Sequence, residues 1–398
     1  MTTRAADVRA VPRRVTILGS TGSVGRNTVD LIEHRPERFV VEALTANRNA
    51  RLLAEQAKRL RPSLAVVADP DSYDELKEAL AGTGIEAAAG AAAVIEAASR
   101  PADLVMLAIV GAAGFEPTLA AARQGAIVAL ANKETLVCAG ELVMATIEQY
   151  GATLLPVDSE HSAIFQVFDF EQSDQVERII LTASGGPFRT YEREAMAHVT
   201  RAEAVAHPNW DMGAKISVDS ATMMNKGLEV VEAHHLFPVS EEQIEIVIHP
   251  ESVVHSMVAY VDGSVLAQLG RPDMRTPIAY ALSWPERMST PAERLDFAKL
   301  GQLTFEPPDT ERFPALRLAR EALKCGGCVP TILNAANEVA VHGFLEDRIG
   351  FLDITSIVER ALETAPQMKI SSVGDVREVD ANAREIASDL VRSCTSSR

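Results

Sequence analysis

Seven residues, Gly19-Ser20-Thr21-Gly22-Ser23-Val24-Gly25, join an apolar run at 15–18 to a segment at 23–34. In that segment Val24, Thr28, Leu31 and Ile32 recur with helical spacing. Glycines let a chain turn sharply and bring backbone N–H groups close to an anion, where the partial positive charge of a helix N-terminus adds to the attraction. A strand, such a turn and a helix are how a nucleotide-binding βαβ unit begins. The spacing is GxxGxxG rather than GxGxxG, and a glycine-rich connection without a ligand is the plainer reading of the motif taken alone. Its place inside a complete βαβ pattern weighs against that reading.

The pattern continues with apolar runs at 40–44, 64–68, 104–110, 127–130 and 153–157. Helical stretches separate them, one carrying Ala50, Leu53, Ala57 and Leu60 on a single face. The alanine-rich stretch at 87–98 reads as helix. Strands apolar on both faces that alternate with helices predict an α/β fold, a Rossmann-like, doubly wound parallel sheet over residues 1–157. From about Ser159 the texture changes to α+β. Strands are expected at 176–182, 244–249, 253–260 and 265–269, the last two flanking Asp262-Gly263, a hairpin signal. Residues 158–290 form a central catalytic domain in this reading. A turn-rich linker with Pro307-Pro308 covers 291–312, and helices at 315–324, 331–346, 354–363 and 380–393 make a small C-terminal helical bundle over 313–398. A chain of 398 residues accommodates that many domains.

The formal net charge of −17 argues against a nucleic-acid partner, whose phosphates demand a basic footprint. Arg4, Arg9, Arg13 and Arg14 precede the first strand without an apolar stretch of their own, so neither a signal peptide nor a membrane span is expected and the protein is placed in the cytoplasm. Four cysteines do not make a disulfide scaffold. Cys325-Gly326-Gly327-Cys328 has CxxC spacing, but without a second pair or a strand–CxxC–helix context it reads as a helix terminus bearing two reduced thiols.

After the second strand come Thr45-Ala46-Asn47-Arg48-Asn49, with no carboxylate to repel a ribose 2′-phosphate and with Arg48 able to pair with one, which favours NADP over NAD. Asp158-Ser159-Glu160-His161 follows the strand at 153–157. In extended backbone, positions 158 and 160 face the same way and can share a cation; solvated carboxylates are the ordinary alternative. Read as one helix, residues 217–229 put Thr222, Asn225, Lys226 and Glu229 on one polar face near Ser220. That mixture suits a phosphate and a metal, although periodicity by itself describes a solvated face. Ala183-Ser184-Gly185-Gly186 offers hydroxyl and N–H groups after a strand, and His207-Pro208-Asn209-Trp210-Asp211-Met212-Gly213 reads as a lid. His161, His234, His235, His249 and His255 read as structural side chains.

Together, GSTGSVG, Ala131-Asn132-Lys133-Glu134, Pro156-Val157-Asp158-Ser159-Glu160-His161, the HPNW–MG loop and KISVDSATMMNKGLE resemble the 1-deoxy-D-xylulose 5-phosphate reductoisomerase family over nearly the whole chain. The resemblance implies a divalent metal (Mg²⁺, Mn²⁺ or Co²⁺) on Asp158, Glu160 and Glu229. It implies substrate contacts from Ser159, Glu160, Ser184, His207, Ser220, Asn225, Lys226 and Glu229. NADPH would meet Thr21, Gly22, Ser23, Val24, Asn47, Arg48, Asn49, Asn132, Lys133, Glu134 and Gly213. The implied reaction rearranges a small phosphorylated sugar, by retro-aldol cleavage and re-addition or by a 1,2-shift, and reduces the resulting aldehyde, a step of the non-mevalonate route to isoprenoid precursors. A homodimer is also implied. The competing readings are a semialdehyde dehydrogenase, for which Cys138 would have to supply a thiolate, and a non-catalytic NADP-binding regulator.

Overall fold

The computed structural model describes residues 11–210 and 212–396; Arg4, Arg9 and Asp211 lie outside the described residues. The chain divides into two compact units. The first gathers the residues up to Asn132, Ala145–Val157 and Met274–Pro291; the second gathers Lys133–Met144, Asp158–Asp273 and the residues from Ala292 onward.

The first unit is built on strands β1 (Arg13–Leu18), β2 (Phe39–Ala46), β3 (Leu64–Val67), β4 (Glu86–Ala89), β5 (Leu104–Leu107), β6 (Ile127–Leu130) and β7 (Thr153–Pro156). Helices α1 (Ser23–His34), α2 (Ala50–Leu60), α3 (Tyr73–Ala79), α4 (Ala91–Ser99) and α5 (Phe115–Ala122) alternate with them. All strand pairs are parallel, in the order β4-β3-β2-β1-β5-β6-β7. β3 and β5 are buried along their whole length, as expected of strands covered on both faces. This is the doubly wound Rossmann-like sheet. Its strand order reverses between β1 and β5, the place where such sheets bind ligands.

Two local expectations fail. The stretch at 87–98 is not one helix: β4 adds a strand beside β3, Gly90 breaks the chain at φ +94°, and only then does α4 begin. Alanine fits helix and strand alike, so pairing with β3 decides. The run at 104–110 stops pairing as a strand at Leu107, because the chain turns away and Val110 is left 77% exposed.

The second unit takes α6 (Lys133–Tyr150), interrupted at Ala139, only as far as Met144, followed by α7 (Ser159–Phe165), β8 (Val176–Ala183), α8 (Arg193–Met196), α9 (Arg201–Val205), α10 (Ala214–Ala221) and α11 (Met224–Leu236). Strands β9 (Ile244–Ile248), β10 (Val254–Tyr260) and β11 (Val265–Leu269) join β8 in a mixed sheet of order β11-β10-β8-β9. The Asp262-Gly263 hairpin forms, with Gly263 N–H donating to Tyr260 O at 2.9 Å. After α12 (Arg275–Ser283), which belongs to the first unit, and the short α13 (Phe297–Leu300), four helices complete the chain. These are α14 (Ala315–Cys325), α15 (Val329–Leu345), α16 (Phe351–Thr364) and α17 (Val373–Ser396). One apolar core runs from β8 and β9 through α11 into these helices. Cys325 ends α14 and Cys328 precedes α15; both thiols are free, and Cys328 Sγ accepts from the Met368 N–H at 3.1 Å. Among the described residues no helix is long and apolar enough to cross a membrane.

Candidate active site

In the first unit the glycine-rich turn leaves β1 at Gly19, whose φ of +88° and proximity to β5 exclude a side chain: a Cβ there would lie 2.6 Å from Ala108 O. Gly19 and Ser20 N–H groups donate to Thr45 O at 3.1 and 2.8 Å, which fixes the turn over β2. Gly22 occupies the position before α1, so the first turn of that helix receives no side-chain cap and its N–H groups face outward for an anion. Thr21, Gly22, Ser23 and Val24 therefore fit a pyrophosphate.

Asn47, Arg48 and Asn49 follow β2 on the surface. Asn49 caps α2 by accepting from Leu52 N–H at 3.1 Å. Arg48, 79% exposed, pairs with Asp69 after β3 at 2.6 Å; at such exposure the pair is weak and the guanidinium exchanges readily onto a phosphate. Asn132 turns its amide toward Ile109 O and Gly111 O, the latter at 2.8 Å.

In the second unit Asp158, Glu160 and Glu229 each offer an oxygen within 4.8 Å of the others. The two neighbours come together by a route the sequence does not announce. Asp158 is not in extended backbone; it precedes α7 and accepts from Glu160 N–H at 3.2 Å, and Glu160 stands in the first helical turn. Nor are residues 217–229 one helix. α10 ends at Ala221, Met223 adopts left-handed backbone (φ +64°), and α11 starts afresh at Met224. Thr222 is spent on that break, donating to Asp219 O and accepting from Met224 N–H. Asn225, Lys226 and Glu229 then share the first turns of α11. Gly227 lets this helix approach α14, since a Cβ there would lie 2.7 Å from Ala319 Cβ.

Two ammonium groups hold the carboxylates together. Lys133 Nζ lies 2.7 Å from Asp158 Oδ2, 2.9 Å from Glu229 Oε1 and 2.9 Å from Asn225 Oδ1. Lys226 Nζ lies 2.9 Å from Glu160 Oε1 and also contacts Glu229. Glu229 is fully buried, and burial, then Asp158 and Glu160, push its pKa up to about 7. Burial works against the charged form of Asp158 too, but Lys133 prevails and holds that carboxyl below its usual range. Three carboxylates against two lysines leave a deficit of positive charge in a buried place, and hard oxygen donors suit a divalent cation.

Further residues converge here. Ser159 Oγ donates to Glu160 at 2.6 Å. His207 Nδ1 accepts from the N–H groups of Asn209 and Trp210, so its proton sits on Nε2 and is donated to Ser184 Oγ at 2.9 Å. Gly186 packs so closely on α10 that a Cβ would lie 2.6 Å from Ser220 O. Ser184, His207 and Ser220 thus belong to one neighbourhood, with Asn209 anchoring the loop on Pro250 O at 2.6 Å. Gly213 ends that loop immediately before α10, and Glu134 pairs with Lys215 at 3.2 Å.

Three roles escape the sequence reading, those of Lys133, His161 and Glu232. Lys133, named there only as a cofactor contact, sends its ammonium into the carboxylate cluster. His161, read as an ordinary structural side chain, lies fully buried with Nε2 on Glu229 O at 3.0 Å and Nδ1 3.0 Å from Glu232 and 3.5 Å from Asp158. Because a carbonyl accepts at Nε2, the proton there is fixed, and burial notwithstanding, Glu232 and Asp158 raise the imidazole pKa to about 9. Spacing offered a faint signal, since His161 stands three residues after Asp158 and Glu232 three after Glu229. His249, by contrast, is structural as read, with Nε2 accepting from Val253 and Val254 N–H groups at 3.1 Å.

Comparison with known proteins gives matches along the chain. Residues 15–140 match the family model of 1-deoxy-D-xylulose 5-phosphate reductoisomerase, residues 154–237 its C-terminal domain, and residues 269–386 the DXP reductoisomerase C-terminal domain. The curated reductoisomerase of Rhodospirillum centenum is 68% identical over 97% of this chain and 96% of its own length. That of Zymomonas mobilis is 59% identical over 96% and 98%. A solved Z. mobilis structure described as a complex with NADPH superposes with TM-score 0.92 at 58% identity, covering 96% of this chain and all of that one. A second solved reductoisomerase structure, described with NADPH, fosmidomycin and magnesium, gives TM-score 0.90 at 42% identity over 96% of this chain and 98% of that one.

Proposed function

Since the chain belongs to the 1-deoxy-D-xylulose 5-phosphate reductoisomerase family, we propose that it uses NADPH and a divalent cation to rearrange and reduce 1-deoxy-D-xylulose 5-phosphate to 2-C-methyl-D-erythritol 4-phosphate. The observation that carries this is the convergence of Asp158, Glu160 and the buried Glu229, from two separate segments, to within 4.8 Å of one another.

Asp158, Glu160 and Glu229 would hold the cation, whose chemistry is that of a Lewis acid on the ketone and neighbouring hydroxyl oxygens of the sugar. NADPH, held on Thr21, Gly22, Ser23 and Val24, with Asn47, Arg48 and Asn49 toward its 2′-phosphate and Asn132, Lys133, Glu134 and Gly213 contributing, supplies the hydride for the aldehyde. Ser159 orients Glu160 and meets the substrate. Ser184, Ser220, Asn225 and Lys226 take the phosphate; Asn225 and Lys226 both contact Glu229 here, a contact that a cation held by the carboxylates would replace. His207, donating from Nε2, adds a hydrogen bond, and the 207–213 loop excludes water from the aldehyde. Binding energy spent on the phosphate orients the reacting carbons.

Cys138 does not fit a semialdehyde dehydrogenase: burial pushes its thiol well above the ordinary range, away from a thiolate. A purely regulatory NADP-binding protein has no use for three converging carboxylates. Four free thiols fit a reducing cytoplasm. A homodimer fits the outer edge of β11, where Val265 and Leu266 are 51% and 49% exposed.

NADPH oxidation with this sugar phosphate, after chelation and with Mg²⁺ or Mn²⁺ restored, tests the reading. Turnover should require the cation, and Glu229→Gln should lower it by about three orders of magnitude while NADPH still binds. Undiminished turnover in that variant would remove Glu229 from the ligand set.

A further inference from the structure

Beside the carboxylate cluster runs a second buried polar chain, of which only Glu134 is among the proposed substrate, cofactor or metal contacts. Lys215 Nζ lies 2.8 Å from Asp219 Oδ2 and 3.2 Å from Glu134 Oε1. Asn337 Nδ2 donates to Asp219 Oδ1 at 2.8 Å. Asn337 is fully buried and Asp219 and Glu134 nearly so, at 1% and 8% exposure. Asn337 stands on α15 among apolar neighbours, with Ala336, Ala340 and Val341 in the core of this unit. A well-packed apolar contact there would be as stable or more so, because charges and amides lose hydration on burial. What hydrogen bonds add, and apolar contacts lack, is direction.

The groups they direct are informative. Lys215 is the second residue after Gly213, where the 207–213 loop rejoins a helix. Asp219 precedes Ser220, proposed for the phosphate, and Glu134 follows Lys133, whose ammonium reaches the carboxylates. Helix α10 has eight residues and no side-chain cap at Gly213, and its buried apolar side chains are only Val218 and Ala221. So small an apolar face leaves rotation about the axis and sliding along it weakly determined. Lys215 and Asp219, one turn apart, are gripped from two sides by Glu134 and Asn337, which fixes both. Burial works against each charge, yet Asp219 and Glu134 hold the Lys215 ammonium above its ordinary range, and Lys215 holds Glu134 below its own.

We infer that Lys215 and Asn337 are positioning residues, through which the C-terminal helix α15 seats α10 and so sets both the phosphate-binding Ser220 and the rear anchor of the 207–213 loop. This rests on the functional reading above and extends it to α15 of the helical bundle.

The test uses the full-length chain carrying Trp284→Phe, so that Trp210 in the loop is the sole tryptophan. Asn337→Leu keeps the volume and removes the bond to Asp219; Asn337→Ser removes it without adding bulk, should the first variant not fold. Lys215→Met is paired with Lys215→Arg as the rescue. Inorganic phosphate is titrated against Trp210 emission, and KM and kcat are measured for the sugar phosphate and for NADPH. The inference expects the phosphate midpoint and the sugar-phosphate KM to rise about tenfold or more in the Leu, Ser and Met variants, with the NADPH KM within about twofold in the two Asn337 variants, which leave the Lys215–Glu134 pair in place, and with Lys215→Arg largely restored. Folded variants with unchanged phosphate midpoint and sugar-phosphate KM would overturn it, as would equal increases in both KM values in the Asn337 variants. If the parent chain does not turn over the sugar phosphate, the functional reading fails, and the Trp210 titration still decides the positioning role.

Discussion

Lys133 Nζ lies 2.7 Å from Asp158 Oδ2 and 2.9 Å from Glu229 Oε1, so one ammonium from the start of α6 ties together carboxylates that stand 71 positions apart in number, at 158 and 229. Buried charges of this kind are tolerated only in each other's company. Removing the lysine leaves Lys226, with the His161 imidazole 3.5 Å from Asp158, against three carboxylates.

Lys133→Met should therefore lower the stability of the metal-free protein by about 3–5 kcal/mol, the usual loss when one partner of a buried pair is deleted. Mn²⁺ should recover more of that loss than it adds to the wild type, since the cation replaces the missing charge. Thermal unfolding with and without Mn²⁺ measures both. Equal metal-free stability of variant and wild type would contradict the role given to Lys133.

Gly19→Ala tests the nucleotide turn. Backbone at φ +88° strains any L side chain by about 1–2 kcal/mol, and the new Cβ would meet Ala108 O at 2.6 Å. NADPH affinity should fall about tenfold or more, read as quenching of protein fluorescence, while Mn²⁺ binding to the second unit stays as it was. A variant that binds NADPH like wild type would place the pyrophosphate elsewhere.

Gly186→Ala acts on the phosphate side. Its φ of +68° and the 2.6 Å approach of its would-be Cβ to Ser220 O force Ser184 and Ser220 apart. KM for the sugar phosphate should rise about tenfold, with a stability loss of about 1–3 kcal/mol and little change in KM for NADPH. An unaltered sugar-phosphate KM would separate these serines from the phosphate.

His235 gives a pH dependence away from the chemistry. Burial, and secondarily its neighbour His234, hold its pKa down at about 4, whereas an unfolded histidine titrates near 6.5. Between those values the unfolded chain binds the extra proton, so stability falls as pH drops from about 6.5 to 4 and is fully present above 6.5. The full effect is on the order of 3 kcal/mol. His235→Gln should flatten that part of the stability–pH curve relative to wild type; parallel curves would show that His235 does not contribute.

What the sequence determined by itself is what is local. Strand–GSTGSVG–helix continuity dictated a parallel sheet with a nucleotide turn, because glycine conformation and apolar periodicity act over a few residues. The family-specific segments also nominated Asp158, Glu160 and Glu229, since their residue types are those that oxygen coordination needs. Tertiary structure decided everything that depends on who faces whom. It broke 217–229 at Met223, turned the Asp158–Glu160 step into a helix start, and made the alanine stretch contribute β4 because β3 offers it a partner. It also brought Lys133, His161 and Glu232 to the carboxylates and Asn337 to Asp219. These contacts join residues scores of positions apart, and a buried charge or amide finds its partner through packing that no short window of sequence encodes.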